Sequence, residues 1–199
     1  MIQKTKLMTV ILAVTAYGLL SLACATQSRD AADNSATSSR MAATPVGARE
    51  TAALSSNDSH FLMEAAQGGQ AEVKLGQLAA ERAASSDVKQ FGQRMVDDHT
   101  RANQELMRIA GNKNVDLPQQ PNAEQQETYD RLSKLSGAAF DRAYMSDMLK
   151  DHEKDVADFD KTSKQASDTD VKAFATQTLP TLQEHLQIAR TISSKLGAK

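Results

Sequence analysis

Beyond about residue 57, apolar side chains recur every three to four positions, a spacing that predicts helices. The first segment starts near Asn57 or Asp58, either of which suits an N-cap, and sets Phe61, Ala65, Gly68, Glu72, Leu75 and Ala79 on one stripe before ending about Ala84. The second opens after Ser86 with Asp87 in its first turn. It presents Val88, Phe91, Met95, His99, Ala102, Leu106 and Ile109 and stops at Gly111, a residue suited to a C-cap. A loop with Pro118 and Pro121 leads to a short helix over 122–135, with Tyr129, Leu132 and Leu135 on its apolar side. After a break at Ser136-Gly137, a third main helix over 138–165 turns Ala138, Met145, Leu149, His152, Val156 and Phe159 inward. The fourth, over 169–196, does so with Val171, Phe174, Thr178, Leu182, His185, Ala189, Ile192 and Leu196. No run has the two-residue period of a strand. The pattern predicts an all-α domain over 58–196, a bundle of four main helices and one additional short one. Loop lengths alone leave both an up-down topology and one with a long crossover open.

The first 57 residues lack that periodicity. Lys4 and Lys6 precede an apolar run from Leu7 to Leu22 that ends in Ala23-Cys24-Ala25, the layout of a secretory signal peptide over 1–24. At about 16 residues the run is shorter than the roughly 20 a spanning helix needs. Ser21-Leu22-Ala23-Cys24 resembles a bacterial lipobox, departing from it at Ser21. Lipidation of Cys24, which implies membrane attachment, and ordinary cleavage to a soluble periplasmic protein both remain open. The residue after Cys24 is Ala25 rather than Asp, which by resemblance to Gram-negative lipoproteins favours the outer membrane. Cys24 is the chain's single cysteine, so no intramolecular disulfide can form and stability must come from the core. Residues 25–57, rich in Ala, Ser, Thr, Asn and Asp, read as a disordered tether reaching on the order of 30 Å. The formal charge of −2 falls to −4 when Lys4 and Lys6 leave with the leader, and nothing in that balance points to nucleic acid.

Three histidines change the picture, because each stands on the apolar stripe of its own helix where packing alone calls for an aliphatic residue. These are His99, His152 and His185, each preceded by a carboxylate: Asp98, Asp151 and Glu184. Glu72 takes the corresponding place on the first helix. It lies 12 residues before that helix's expected end and His99 lies 12 after the next one's start, so an antiparallel pair brings them to one height at about 1.5 Å per residue. His152 and His185 agree in height within a turn. Three imidazoles and one carboxylate make a ligand set for Zn, Fe or Cu, whereas the same four residues without metal would form a buried hydrogen-bonded layer. Met95 and Met148, one turn before His99 and His152, either add a thioether that favours Cu(I) or simply fill the core. Asp98, Asp151 and Glu184 sit about 100° around the helix from their histidines. They are therefore placed to accept from an imidazole on an adjacent helix, or to be solvated, rather than to bind the same ion. Release of metal is expected as pH falls through the ordinary imidazole pKa of about 6.5. His60 belongs to the surface. Pro180, five residues before His185, removes a helical hydrogen bond to the Thr176 carbonyl and predicts a kink.

Four stretches carry a resemblance: FLMEAAQGGQAEVKLGQLA (61–79), FGQRMVDDH (91–99), SGAAFDRAYMSDMLKDHE (136–153) and LPTLQEH (179–185). Over roughly 58–196 the chain resembles the bacterial ferritin-like family catalogued as domain of unknown function 4142, many of whose members are described as outer-membrane or exported proteins. The resemblance implies a ferritin-like four-helix bundle in the envelope, with Glu72, His99, His152 and His185 as characteristic polar positions, and it supplies no reaction. Di-iron chemistry of the wider ferritin-like class needs Glu three residues before His on two helices. Here those positions hold Val96, Leu149 and Leu182, and Glu72 is the one carboxylate expected inside. No nucleophile or activated base is identifiable. The expectation is a non-enzymatic envelope protein that binds metal. The rival is a structural or partner-binding bundle with a metal-free polar layer.

Overall fold

The computed structural model describes residues 54–197, so the leader, Cys24 and most of the tether lie outside the described residues. Five helices follow: α1 (Ser56–Arg82), α2 (Ser86–Asn112), α3 (Ala123–Leu132), α4 (Gly137–Gln165) and α5 (Thr169–Leu196). Among the described residues no helix is long and apolar enough to cross a membrane.

The ends correct several expectations. α1 begins at Ser56, inside the stretch read as tether, because Ser55 is the cap and its side chain accepts from the Asp58 backbone N–H at 3.0 Å. α2 runs through Gly111 to Asn112, and the left-handed residue that turns the chain away is Asn114, at φ 54°. α3 is trimmed from 122–135 and held at its start by a reciprocal capping box between Asn122 and Gln125. Ala138 is exposed instead of inward: it continues the stripe backwards from Met145 into the first turn of α4, beyond the core. The buried side chains there are Phe140 and Tyr144. Pro180 is exposed and lies within an α5 that continues to Leu196, so the bond it deletes is lost on the solvent side, where Thr176 is exposed too.

α1 pairs with α2 and α4 with α5, while α1 also packs on α4 and α2 on α5. Two buried aspartates fix the directions. Asp141, at the start of α4, accepts from the Ala84 and Ser85 N–H groups in the turn after α1, at 3.0 and 2.9 Å. Asp58, at the start of α1, accepts from Ser167 and Asp168 in the turn after α4, at 3.2 and 3.0 Å. Each helical hairpin thus clamps the turn of the other, and α1 runs antiparallel to α4. Lys113 at the end of α2 pairs with Asp168 at the start of α5, and Asp87 at the start of α2 with Lys195 at the end of α5, so these two are antiparallel as well. The chain must therefore travel the length of the bundle between α2 and α4, with α3 in that crossover. The topology is the ferritin type and not up-down.

The core divides into two apolar clusters. One gathers Leu75, Leu78, Phe91, Met95, Phe140, Tyr144, Met148 and Ile192, and the other Leu62, Leu106, Ile109, Phe159, Phe174 and Leu182. Burial of these side chains is the main force holding the helices together, at about 25 cal/mol per Å² of apolar area removed from water. Beside the first cluster α1 and α2 approach closely, because a Cβ on Gly76 would stand 2.5 Å from the Gly92 carbonyl oxygen. Gly76→Ala is expected to gain helix propensity of up to about 1 kcal/mol and lose more by forcing two backbones apart, for a net destabilisation of about 1–2 kcal/mol. Urea denaturation measures it, and a variant as stable as the parent would show that the helices are not in backbone contact.

Candidate metal centre

The boundary between the two clusters is polar. Each long helix contributes one residue near its middle: Glu72 from α1, His99 from α2, His152 from α4 and His185 from α5. Their exposures are 1%, 6%, 0% and 0%, so every member of the layer is buried. The imidazole centroids lie 5.4–5.9 Å apart, and Phe91 closes one side with its ring 6.2 Å from His152 and 6.3 Å from His185. The heights inferred from helix ends are those observed.

Hydrogen bonds assign the tautomers of two imidazoles. His152 Nδ1 lies 3.0 Å from the Met148 carbonyl oxygen, which can only accept, so Nδ1 carries the proton and Nε2 a lone pair. His185 Nε2 lies 2.8 Å from Asp98 Oδ2. Partial burial disfavours charge on Asp98, yet the bonds from His185 and Arg94 hold its carboxyl below the usual carboxylate range, so it too only accepts. His185 therefore bears its proton on Nε2 and its lone pair on Nδ1. Those two lone-pair nitrogens, His152 Nε2 and His185 Nδ1, face each other at 3.4 Å with no proton left to share. An imidazolium would supply one, but burial, followed by the neighbouring imidazoles, pulls His152 down to about 3. Burial also pulls His185 and His99 down to about 4.

Glu72 completes the layer. Its Oε2 lies 2.8 Å from His99 Nδ1 and its Oε1 3.5 Å from His152 Nε2. Burial and then the nearby Asp151 carboxylate push Glu72 well above the ordinary carboxylate range. Glu72 Oε1 and His99 Nε2 are buried with no hydrogen-bond partner, a state that costs about 1–3 kcal/mol per group. A transition metal held here would pair with the bare nitrogens of His152 and His185. Four ligands at about 2.0–2.1 Å in a tetrahedron stand about 3.3–3.4 Å from one another. The His152–His185 and His152–Glu72 separations of 3.4 and 3.5 Å match that edge, and one nitrogen from each of the three histidines lies within 4.8 Å of the others. The buried His/Glu cluster is geometrically suited to metal binding.

The accompanying residues diverge. Asp98 accepts from an imidazole on an adjacent helix, fixing His185 for a lone pair directed into the layer. Glu184 touches no imidazole: it is exposed and pairs with Arg94 at 2.6 Å, and Arg94 in turn holds Asp98 at 3.2 Å. Asp151 departs from the helical-wheel estimate, since one of its oxygens lies within 4.8 Å of a Glu72 oxygen and a His152 nitrogen. Glu72 is therefore not the one acid near the layer. Met95 and Met148 are both buried in the apolar cluster, and toward His152 Met148 offers its carbonyl. His60 is exposed and lies 3.5 Å from Glu64.

Tyr144 escaped sequence reasoning, although it is fully buried, lies edge-on to Phe91 at 6.3 Å and has a hydroxyl with no partner. A stripe drawn through Phe140, Tyr144 and Met148 instead of Ala138 and Leu149 would have found it. A second missed feature is a cavity of about 420 Å³ between α1, α4 and the crossover, which reaches Glu72 and His99.

No curated protein matches the chain. Among solved structures, a DUF305 protein from Streptomyces coelicolor, assigned as secreted, superposes with a TM-score of 0.62 at 12% identity, covering 72% of this chain and 95% of that one. A DUF305 fragment from Deinococcus radiodurans does so with a TM-score of 0.62 at 16% identity, covering 72% and 97%. At such identities the likeness is one of fold. The family model for the domain of unknown function DUF4142 matches residues 43–192, and this chain belongs to that family.

Proposed function

We propose that this protein is exported to the bacterial envelope and holds one transition-metal ion, Zn, Cu or Fe, through Glu72, His99, His152 and His185, without itself catalysing a reaction. The observation that carries the reading is the pair of bare nitrogens, His152 Nε2 and His185 Nδ1, at 3.4 Å. Their outer partners can only accept, so a cation between them resolves a contact that no arrangement of neutral imidazoles can. The rival, a metal-free polar layer, needs a proton for that contact from a buried imidazolium, against the direction in which burial moves all three, or from a protonated Glu72, whose Oε1 is 3.5 Å from His152 Nε2 and more than that from His185. Export rests on the leader-like residues 1–24 and agrees with the secreted assignment of the Streptomyces relative. Attachment through a lipidated Cys24 at the outer membrane is the finer form of the same proposal. The test is the metal content of the protein recovered from the periplasm without an affinity tag, beside His99, His152 and His185 alanine variants. Near-stoichiometric metal that the variants lose establishes the centre, and no uptake after incubation with Zn, Cu and Fe overturns it.

Acidification supplies another expected result. Each imidazole has a native pKa below its unfolded value of about 6.5, so between roughly pH 6.5 and 4 the unfolded chain binds protons that the native one refuses. Stability therefore falls as pH drops through that window, by up to about 1.4 kcal/mol per unit per imidazole. Glu72 acts oppositely in the metal-free protein, because its raised pKa gives a stabilisation present below about 4.5 and lost as pH rises. Metal binding ionises Glu72 and deletes that opposing slope. Metal-loaded protein is expected to lose stability more steeply than metal-free protein in the range just above pH 4.5, by up to about 1.4 kcal/mol per unit, while keeping its metal below 6.5 because burial weakens proton competition. Denaturant titrations at several pH values read both slopes. Equal slopes would exclude Glu72 as a ligand.

A further inference from the structure

The cavity beside the layer is not neutral. Its walls include Glu64, Glu72, Glu124, Asp147, Asp151, Asp155 and Asp158, against the cations Lys150 and Lys154. Some of these acids are already matched: Asp158 holds Lys154 at 2.8 Å, Asp147 holds Arg131 at 2.7 Å and Glu64 lies beside His60. Asp151 and Asp155 are different. They stand one turn apart on α4, both half-buried; each feels the charge of Lys154, but neither has a hydrogen bond or a close ion pair of its own among the described residues. Asp151 brings an oxygen within 4.8 Å of one from Glu72, whose Oε1 is buried, lines the same cavity and has no hydrogen-bond partner.

Lys154, the cation nearest Asp151 and Asp155 along α4, is itself bonded to Asp158, so the three carboxylates exceed the positive charge on this wall of the cavity, and a cation among them would balance the excess. The nitrogen centre does not serve for this: His152 directs Nδ1 to the Met148 carbonyl and Nε2 toward His185, leaving no imidazole for a second ion. The donors that remain are oxygens, and the cavity has room for water. Ions such as Mg²⁺ and Mn²⁺ bind in that way, through one or two carboxylates while retaining several waters.

We propose that Glu72 and Asp151, with Asp155 one turn farther along α4, form a second cation position on the cavity side of the layer, selective for a hard divalent ion. Glu72 is common to both positions, so the protein holds a nitrogen-rich and an oxygen-rich site side by side. The oxygen site does not need the nitrogen site to be filled.

The test is a Mn²⁺ titration of the full protein as recovered from cells, stripped with chelator and then loaded with one equivalent of Zn²⁺, with bound Mn²⁺ read by electron paramagnetic resonance. The expected result is one further Mn²⁺ per chain, with affinity lowered at least about tenfold in Asp151→Asn and less in Asp155→Asn. Asp158→Asn, which removes an acid already paired with Lys154, should leave it unchanged. Helical circular dichroism verifies the fold of each variant, and Asp155→Asn carries the test should Asp151→Asn not fold. No Mn²⁺ bound by the Zn-loaded protein, or equal binding in the parent and both variants, would overturn the proposal. His185→Ala separates the two readings. Zn²⁺ lost with Mn²⁺ retained supports both sites, whereas a parent that takes up no Zn²⁺ yet binds Mn²⁺ through Asp151 keeps the oxygen site and removes the nitrogen one.

Discussion

His152→Leu is expected to weaken transition-metal affinity at least about 100-fold, since loss of a supporting contact alone costs about 10–100-fold and here a ligand is removed. Leucine is close to histidine in volume, so it leaves little cavity. In the metal-free protein it also removes one of two lone pairs that oppose each other at 3.4 Å. The metal-free variant should therefore unfold at a temperature close to the parent's. The parent alone should gain on metal addition, by about 2.7 kcal/mol at a metal concentration of 100 times Kd. Asp98→Ala ought to fall between the two, about 10–100-fold weaker, because it frees His185 from the bond that fixes its tautomer. Calorimetric titration combined with thermal melts distinguishes the alternatives. If His152→Leu strongly destabilises the metal-free protein and metal does nothing to the parent, the layer is a structural hydrogen-bonded one and the metal centre is refuted.

Asp141→Ala is expected to cost about 3 kcal/mol, as it deletes the two charge-assisted bonds that a buried carboxylate makes to the Ala84 and Ser85 N–H groups of a half-exposed turn. For a domain of this size that corresponds to a fall of roughly 10 °C in Tm. Asp58→Ala should behave alike at the opposite end, where Ser167 and Asp168 lose their acceptor. The two costs should add in the double variant, because the sites share no partner. An Asp141→Ala protein within about 1 kcal/mol of the parent would mean that water replaces the carboxylate, and that the hairpins are held by apolar burial alone.

Much of this fold is legible along the chain because helical periodicity is a local property. His99, His152 and His185 each break an apolar stripe, and counting residues from the helix ends set them at one height with Glu72. The family resemblance pointed to the same four positions. Reading failed where phase had to be extrapolated past the end of the core, as at Ala138, and where a side chain meets one from another helix, as Asp151 does with Glu72. It failed again where a residue has two suitable uses. Asp58 suits a helix cap, yet Ser55 caps and Asp58 reaches a turn 109 residues away.

The number of long helices, their amphipathic faces and the level of the polar layer all follow from spacing within a single segment, and the chain carries them without reference to its fold. The crossover between α2 and α4, the mutual clamping by Asp58 and Asp141, the acidic cavity and the direction of the His152 and His185 protons emerge on folding. Those depend on how one helix is rotated and translated against another, a relation set by packing in three dimensions. The tautomers of His152 and His185 show the difference most sharply. Their positions are written in the chain, but which nitrogen is bare follows from a carbonyl one turn away and from an aspartate brought in from another helix.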